Sequence, residues 1–326
     1  MLTLTRGFGT GERRIGVSSQ TAVALDPAVE GPRRVTAQSG PRAFVRRLRR
    51  TRLAAVGFAI VGMLVLAAVL APVVSPYDPN RQRLLDALQA PSPAHLLGTD
   101  ENGRDVLSRI LYGARVSLLA GVFSVAIALA LGVSSGLVSG YFSGRVDNVI
   151  MRIMDALLAF PTLVLALAIT AALGPGLRNA MIAIGVVYTP IFARLTRGQV
   201  LSLREREFVE AARTIGAGSG RIMVRHILPN VTAPLIVQAS LSVAFAILAE
   251  ATLSFLGLGV QPPEPSWGSM VSRGKDYLDQ APWLSFAPGG AILLAVMGFN
   301  FVGDAIRDAL DPRLVRDVGT GVGSQG

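Results

Sequence analysis

The chain contains no cysteine and only two histidines, His95 and His226. Disulfide cross-links and thiol chemistry are therefore excluded, and two isolated imidazoles do not make a metal site. Charge is scarce: 16% of the 326 residues are charged, against 51% hydrophobic. Lysine is almost missing, since Lys275 is the only one among 31 basic residues. No Gly-x-x-x-x-Gly-Lys-[Ser/Thr] loop occurs; the only Gly-Lys pair, Gly274-Lys275, runs into Asp276. The chain lacks the usual means of cradling nucleotide phosphates, so any ATP hydrolysis it depends on belongs to another polypeptide. There is no His-Glu-x-x-His pair, and no catalytic residue or metal ligand is assigned.

What is present is a series of long apolar runs, the composition of a membrane protein rather than of two soluble domains. The net charge of +10 comes from arginines gathered in the first 52 residues and in the loops between runs. A bilayer explains that distribution better than a nucleic acid does. Residues 1–41 hold no apolar run and no periodicity and are expected to form a disordered cytoplasmic tail. Residues 42–115 form the next unit: a basic stretch, Arg42 to Arg52, a first span from Leu53 to Val74, and an extracytoplasmic loop, Ser75 to Arg115. Within that loop Thr99 and Asp100 are candidate caps for a helix whose polar side carries Arg104, Asp105 and Arg109.

Residues 116–310 are expected to hold five more spans. Span two covers about Val116–Gly140, with Gly132, Gly136 and Gly140 on one face for close helix approach. An inner turn, Tyr141 to Arg152, precedes span three (Val149–Leu173), which Pro161 should kink. Span four (Asn179–Leu201) contains Pro190, and span five (Val231–Leu258) contains Glu250. A carboxyl group at membrane depth is expensive and faces protein or water. Glu250, Pro161 and Pro190 are therefore candidates for lining or gating a pathway, with Glu250 equally open to a hydrogen-bonded place between helices. Trp267 and Trp283 are expected as interface anchors, and the last span runs from Phe286 to Val302. Residues 311–326 form a C-terminal tail. The fold class is all-α: a polytopic membrane protein with six transmembrane helices and both termini cytoplasmic.

Between spans four and five, residues 205–230 form the best-marked polar segment. Phe208, Ala211, Ala212 and Ile215 recur at helical spacing and share a face. Glu207 and Glu210 suit the first turns of that helix, and Gly216 ends it. Ser219 is a candidate cap for a second short helix, Arg221–Arg225, and Pro229 fits the first turn of the next span. Arg197, Arg204, Arg206, Arg213, Arg221 and Arg225 mark the loop as cytoplasmic.

Glu210-Ala211-Ala212, then Gly216, then Leu228-Pro229, resembles the EAA loop of bacterial ABC importer permeases. The family pattern has Ile two residues before the Leu-Pro pair, where this chain has His226. The runs Gly98-Thr99-Asp100 and Gly103-Arg104-Asp105, and Gly303-Asp304, Arg307-Asp308 and Asp311-Pro312-Arg313 near the end, resemble the C-type permease of the dipeptide, oligopeptide and nickel branch. The resemblance implies a type I ABC importer permease fold. It implies a coupling helix in which Glu207, Phe208, Glu210, Ala211, Ala212, Ile215, Gly216, Ala217, Leu228 and Pro229 meet a separate ATPase. It also implies half of a pathway for di- or oligopeptides in the bacterial plasma membrane. Related machinery imports nickel chelates, glutathione, haem or opines, and an ion-coupled secondary transporter is the reading from another class. The implied partners are a second homologous permease, two ATPase subunits or one two-domain ATPase, an extracytoplasmic substrate-binding protein and the lipid bilayer. No cofactor is expected in this chain, Mg-ATP belonging to the ATPase subunits, and no nucleic acid.

Overall fold

The computed structural model describes residues 52–310. The expected N-terminal tail, the basic stretch before Arg52 and the tail from Asp311 lie outside the described residues.

Nine helices follow one another among the described residues. They are α1 (Arg52–Val74), α2 (Val106–Phe142), α3 (Gly144–Leu158), α4 (Thr162–Leu173), α5 (Leu177–Leu203), α6 (Glu207–Thr214), α7 (Ser219–Phe255), α8 (Trp267–Gly274) and α9 (Trp283–Leu310). Five of them (α1, α2, α5, α7 and α9) are long and apolar enough to cross a membrane, and α3 with α4 forms a sixth candidate bent by 94°. The expected kink at Pro161 is thus a break. Pro161 has no N–H to continue the helix, and the residue before a proline is driven out of helical conformation.

Several expected boundaries move, each for a physical reason. The outer amphipathic segment and span two are one helix of 37 residues, about 55 Å long at helical rise. A hydrocarbon core of about 30 Å cannot contain it, so one end projects. The helix is capped by neither Thr99 nor Asp100 but by Asp105, whose carboxylate accepts the Ser108 N–H at 2.8 Å. The inner turn expected over Tyr141–Arg152 contracts to the corner at Ser143, with Tyr141 and Phe142 ending α2 and Gly144 opening α3. The short helix expected at Arg221–Arg225 begins at Ser219, with Gly218 rather than Ser219 at the cap. It does not end, but widens into a π turn, Ile222–Ile227, and continues as span five. Pro229 stands in the first turn after the π segment, where its ring would press on the Arg225 carbonyl in a regular helix.

In lipid, apolar surface alone does not drive helix association, so close packing has to come from small residues. Here α2 and α5 are zipped along Gly132, Gly136 and Gly140. A Cβ would stand 2.5 Å from the Phe192 Cβ at Gly132, 2.5 Å from the Ala193 carbonyl at Gly136 and 2.7 Å from the Val200 Cβ at Gly140. The α1 helix meets α9 in the same way, with Gly57 against Phe301 and Gly298 against Ile60. The outer side of α1 (Leu66, Val69, Val73) is exposed, as suits a helix at the lipid-facing edge. The buried core runs through α2, α5 and α7, with Phe192, Ile184, Ile247 and Leu253 at its centre.

Candidate functional site

The α6 helix and its flanks are the first candidate. Arg206 caps the N-terminus in extended conformation, and its carbonyl accepts the N–H groups of Val209 and Glu210 at 2.9 and 3.2 Å. At the other end the Gly216 N–H reaches the Arg213 carbonyl at 2.9 Å and the Ala217 N–H reaches the Ala212 carbonyl at 3.0 Å. That crossed pair is a Schellman closure, and it needs the left-handed Gly216, φ 81°. Glu207 and Glu210 are exposed in the first turns, where the helix dipole favours negative charge.

The buried face of α6 is offset from the one expected. Val209 and Ala212 are buried, against the elements that carry Ile222 and Ile227, while Phe208 and Ala211 point outward and Ile215 is 85% exposed. An eight-residue helix can bury only one narrow stripe, and here it is the one that carries Val209 and Ala212. The outcome is a short helix on a fixed stem. It presents Phe208, Glu210, Ala211 and Ile215 outward, beyond the ends of two long spans. Leu228 is half-buried and Pro229 exposed at the root of α7.

The second candidate is the motif from Gly98 to Asp105. Gly98 and Gly103 both have positive φ, and a Cβ at Gly103 would lie 1.8 Å from the Arg83 carbonyl oxygen, so backbone passes where any side chain would collide. Thr99, Asp100, Arg104 and Asp105 are all buried, as is Arg109 at 1% exposure. The expected polar side of the α2 end is therefore not a solvated one. The Asp100 carboxylate accepts the Arg104 Nε–H at 2.7 Å and the N–H groups of Asn102 and Arg104, each at 2.9 Å, while Arg109 Nε stands 3.5 Å away. Arg109 also donates from Nη1 to the Pro79 carbonyl at 2.8 Å. The Asp105 carboxylate accepts from the Ser108 hydroxyl at 2.7 Å and lies 2.9 Å from His95 Nδ1. The Thr99 hydroxyl donates to the Asp86 carbonyl, and its own carbonyl accepts the Trp283 indole N–H at 3.3 Å. These bonds knot the loop 75–105 to α2 and to the start of α9. His95, Ser108 and Arg109 were missed as members of this knot; the helical spacing of Arg104, Asp105 and Arg109 was the available signal.

The tryptophans belong to the same end of the fold. Trp267 is completely buried, under Gly113, and donates to the Ile110 carbonyl at 3.1 Å. Trp267, being fully enclosed, is not a lipid-interface anchor, and the half-buried Trp283 ties the loop 75–105 to the start of α9.

The pathway candidates are scattered. Glu250 on α7 is fully enclosed, accepting from the Ser117 hydroxyl of α2 at 3.1 Å and the Ser254 hydroxyl at 2.7 Å. Pro190 is buried within α5, and Pro161 is exposed at the α3–α4 break. An apolar groove of about 230 Å³ does form near that break, lined by Leu163, Tyr188, Phe245, Leu248 and Thr252 of α4, α5 and α7. The chain carries one Gly-x-Ser-x-Gly run, Gly132 to Gly136, but it sits inside α2. Ser134 and Ser135 donate back to the carbonyls of Ala130 and Leu131, so no strand-to-helix elbow exposes a nucleophile. Among the described residues no group of three or more His, Asp or Glu is placed to hold a metal ion.

Comparisons with known proteins bear on the family and the fold. Residues 42–91 match the model described as the N-terminal TM domain of oligopeptide transport permease C. The dipeptide transport system permease protein DppC of Alkalihalophilus pseudofirmus is 48% identical over 279 residues, 86% of this chain and 92% of that one. The di/tripeptide transport system permease protein DppC of Pseudomonas aeruginosa is 46% identical over 299 residues, 90% of this chain and 97% of that one. Among solved structures, an inward-facing MetNI methionine ABC transporter chain shares the fold with a TM-score of 0.51 at 17% identity, over 62% of this chain and 97% of that one. Residues 128–316, more than half of the sequence, match the family model for binding-protein-dependent transport system inner membrane components, and the chain is a multi-pass membrane protein that belongs to that family.

Proposed function

We propose that the chain is one of two permease subunits of an ATP-driven importer and forms half of the pathway that carries di- and oligopeptides across a bacterial inner membrane. The observation that carries this reading is α6. A rigid, well-capped helix with outward Phe208, Glu210, Ala211 and Ile215 has no use for that apolar and acidic face unless another protein covers it. Separate ATPase subunits are the partners that fit. They bind Mg-ATP, which this chain has no phosphate loop to hold. Closure of the ATPases on ATP draws the two coupling helices together, and the stems carry that displacement into the spans. The pathway then opens outward to a substrate-binding protein presenting its peptide. The coverage of more than nine-tenths of two relatives named for dipeptide and di/tripeptide transport supports the cargo.

The test is affinity capture of the tagged chain in mild detergent, followed by mass spectrometry. A second six-span permease and chains bearing Gly-x-x-x-x-Gly-Lys-[Ser/Thr] loops are expected in the eluate, with peptide uptake in proteoliposomes that requires ATP. Purification of the chain alone, active without any ATPase, would overturn the reading.

A further inference from the structure

Three features meet at the corner where α2 turns into α3. The first is strain. Ser143 has φ 53° and ψ −166°, a region that residues with a Cβ rarely occupy, and Gly144 follows with φ 59°. Such a conformation persists only when its surroundings hold it. The second feature is what holds it. Arg204, the residue that ends α5 just before the coupling helix, donates to the Gly140 carbonyl at 3.2 Å and to the Ser143 hydroxyl. Arg213 of α6 sits over the Tyr141 ring, 5.4 Å from its centroid. The coupling segment therefore grips the corner from two places.

The third feature is an ion pair one turn further on. Asp147, in the first turn of α3, is only 8% exposed. Arg197 of α5 meets both of its oxygens, Nε to Oδ1 and Nη2 to Oδ2, each at 2.6 Å, and the Ser139 hydroxyl of α2 donates to the same carboxylate. A bidentate pair fixes direction as well as distance. Arg194, one turn back along α5, reaches Asp155 near the far end of α3 at 2.7 Å. The amphipathic α3 is thus strapped at both ends to α5, which is itself zipped to α2. Three residues after α3 ends, the chain breaks at Pro161 and turns by 94° into α4.

We propose that Asp147 and Arg197 are positioning residues for energy coupling: they make α3 move as one body with α2 and α5, so that displacement entering at α6 is delivered to the α3–α4 break and reorients α4. The pair never meets substrate. This rests on the coupling role of α6 proposed above. Without the pair, α3 keeps only the exposed Arg194–Asp155 contact to α5, and the strained corner is the place where the movement dissipates.

The experiment uses the complete complex in proteoliposomes and reads peptide uptake and ATP hydrolysis separately. Asp147→Asn keeps volume and removes the charge. It is expected to leave ATP hydrolysis within about twofold of the unaltered complex while uptake per ATP falls about tenfold or more, and the exchange Asp147→Arg with Arg197→Asp to recover a substantial part of the ratio. A merely structural role would lower both activities together through loss of complex and leave the ratio unchanged; that outcome overturns the proposal. Where the substituted complexes are too unstable to assay, spin labels on the unaltered pair decide. The chain has no cysteine, so Asn148→Cys and Gly198→Cys, both exposed, report the α3–α5 distance alone. One narrow distance, the same with and without trapped ATP, is expected. A distance that changes on ATP trapping overturns the proposal. If the unaltered complex shows no ATP-dependent uptake, the coupling reading of α6 has failed first, and the two failures are distinguishable.

Discussion

At the scale of single residues, Arg109 shows how a polar side chain can be structural at the edge of a membrane. It is 1% exposed, shares Asp100 with Arg104 and bonds to the Pro79 carbonyl, while its Nη2 has no hydrogen-bond partner among the described residues. Asp100 keeps Arg104 when Arg109 is removed, but the buried Pro79 carbonyl loses its donor, at a cost of about 1–3 kcal/mol for the unsatisfied acceptor. Arg109→Ala is therefore expected to lower the thermal midpoint of the purified protein and its yield in membranes. Arg109→Lys should fall between, because an ammonium cannot keep both the Asp100 and Pro79 contacts in the geometry of the planar guanidinium. A melting curve for Arg109→Ala that superimposes on the unaltered protein would show that the knot contributes nothing to stability. The sequence held a partial sign of this knot. Arg104, Asp105 and Arg109 recur at helical spacing, which reads as a solvated stripe because charged residues are seldom buried. Their burial depends on the loop 75–105 folding back over them, and no local pattern encodes that return. The Asp147–Arg197 pair is hidden for the same reason, its members being fifty residues apart.

Among elements, the spans were legible because a helix in lipid has to be long and apolar, and the runs in the chain are both. Interruptions were less so. Pro161 and Pro190 are the same signal in sequence, but Pro161 breaks a span while Pro190 is absorbed within α5. The difference lies in the neighbours: α5 is held against α2 along its length, whereas the α3–α4 junction is exposed on its outer side. The α6 helix was legible in type and extent but not in the face it buries. That offset sharpens one expectation. Glu210 is exposed and makes no side-chain ion pair among the described residues, so its substitution should not disturb the fold. If α6 meets the ATPase as proposed, Glu210→Lys is expected to leave membrane insertion and thermal midpoint within error and to reduce peptide uptake at least tenfold by reversing charge on that face. Uptake at the unaltered rate from a well-expressed Glu210→Lys chain would remove α6 from the coupling pathway. A loss of insertion would instead mean that the helix is structural.

For the whole molecule, the arrangement across the bilayer decides whether the two ends of the fold do different jobs. The loop with α6 carries Arg204, Arg206, Arg213, Arg221 and Arg225, while the opposite turn between α4 and α5 is followed by Arg178 alone. Arginine-rich short loops stay on the cytoplasmic side. Counting α3 and α4 as one span gives six candidate crossings among the described residues. On the reading proposed above, the knotted loop 75–105 is expected to face outward, toward a binding protein, and α6 inward, toward the ATPase. The absence of cysteine makes this directly measurable. Ala94→Cys lies exposed in the outer loop, and Gly220→Cys lies exposed beside α6, where a Cβ meets no atom within 4 Å. In intact spheroplasts a membrane-impermeant maleimide should label Ala94→Cys at once and Gly220→Cys only after the membrane is opened. The reverse pattern would invert the molecule and place α6 out of reach of any cytoplasmic ATPase. Labelling of both sites in sealed spheroplasts would mean that the span count is wrong by one between them, and the bent α3–α4 pair, re-entrant rather than crossing, would be the segment responsible.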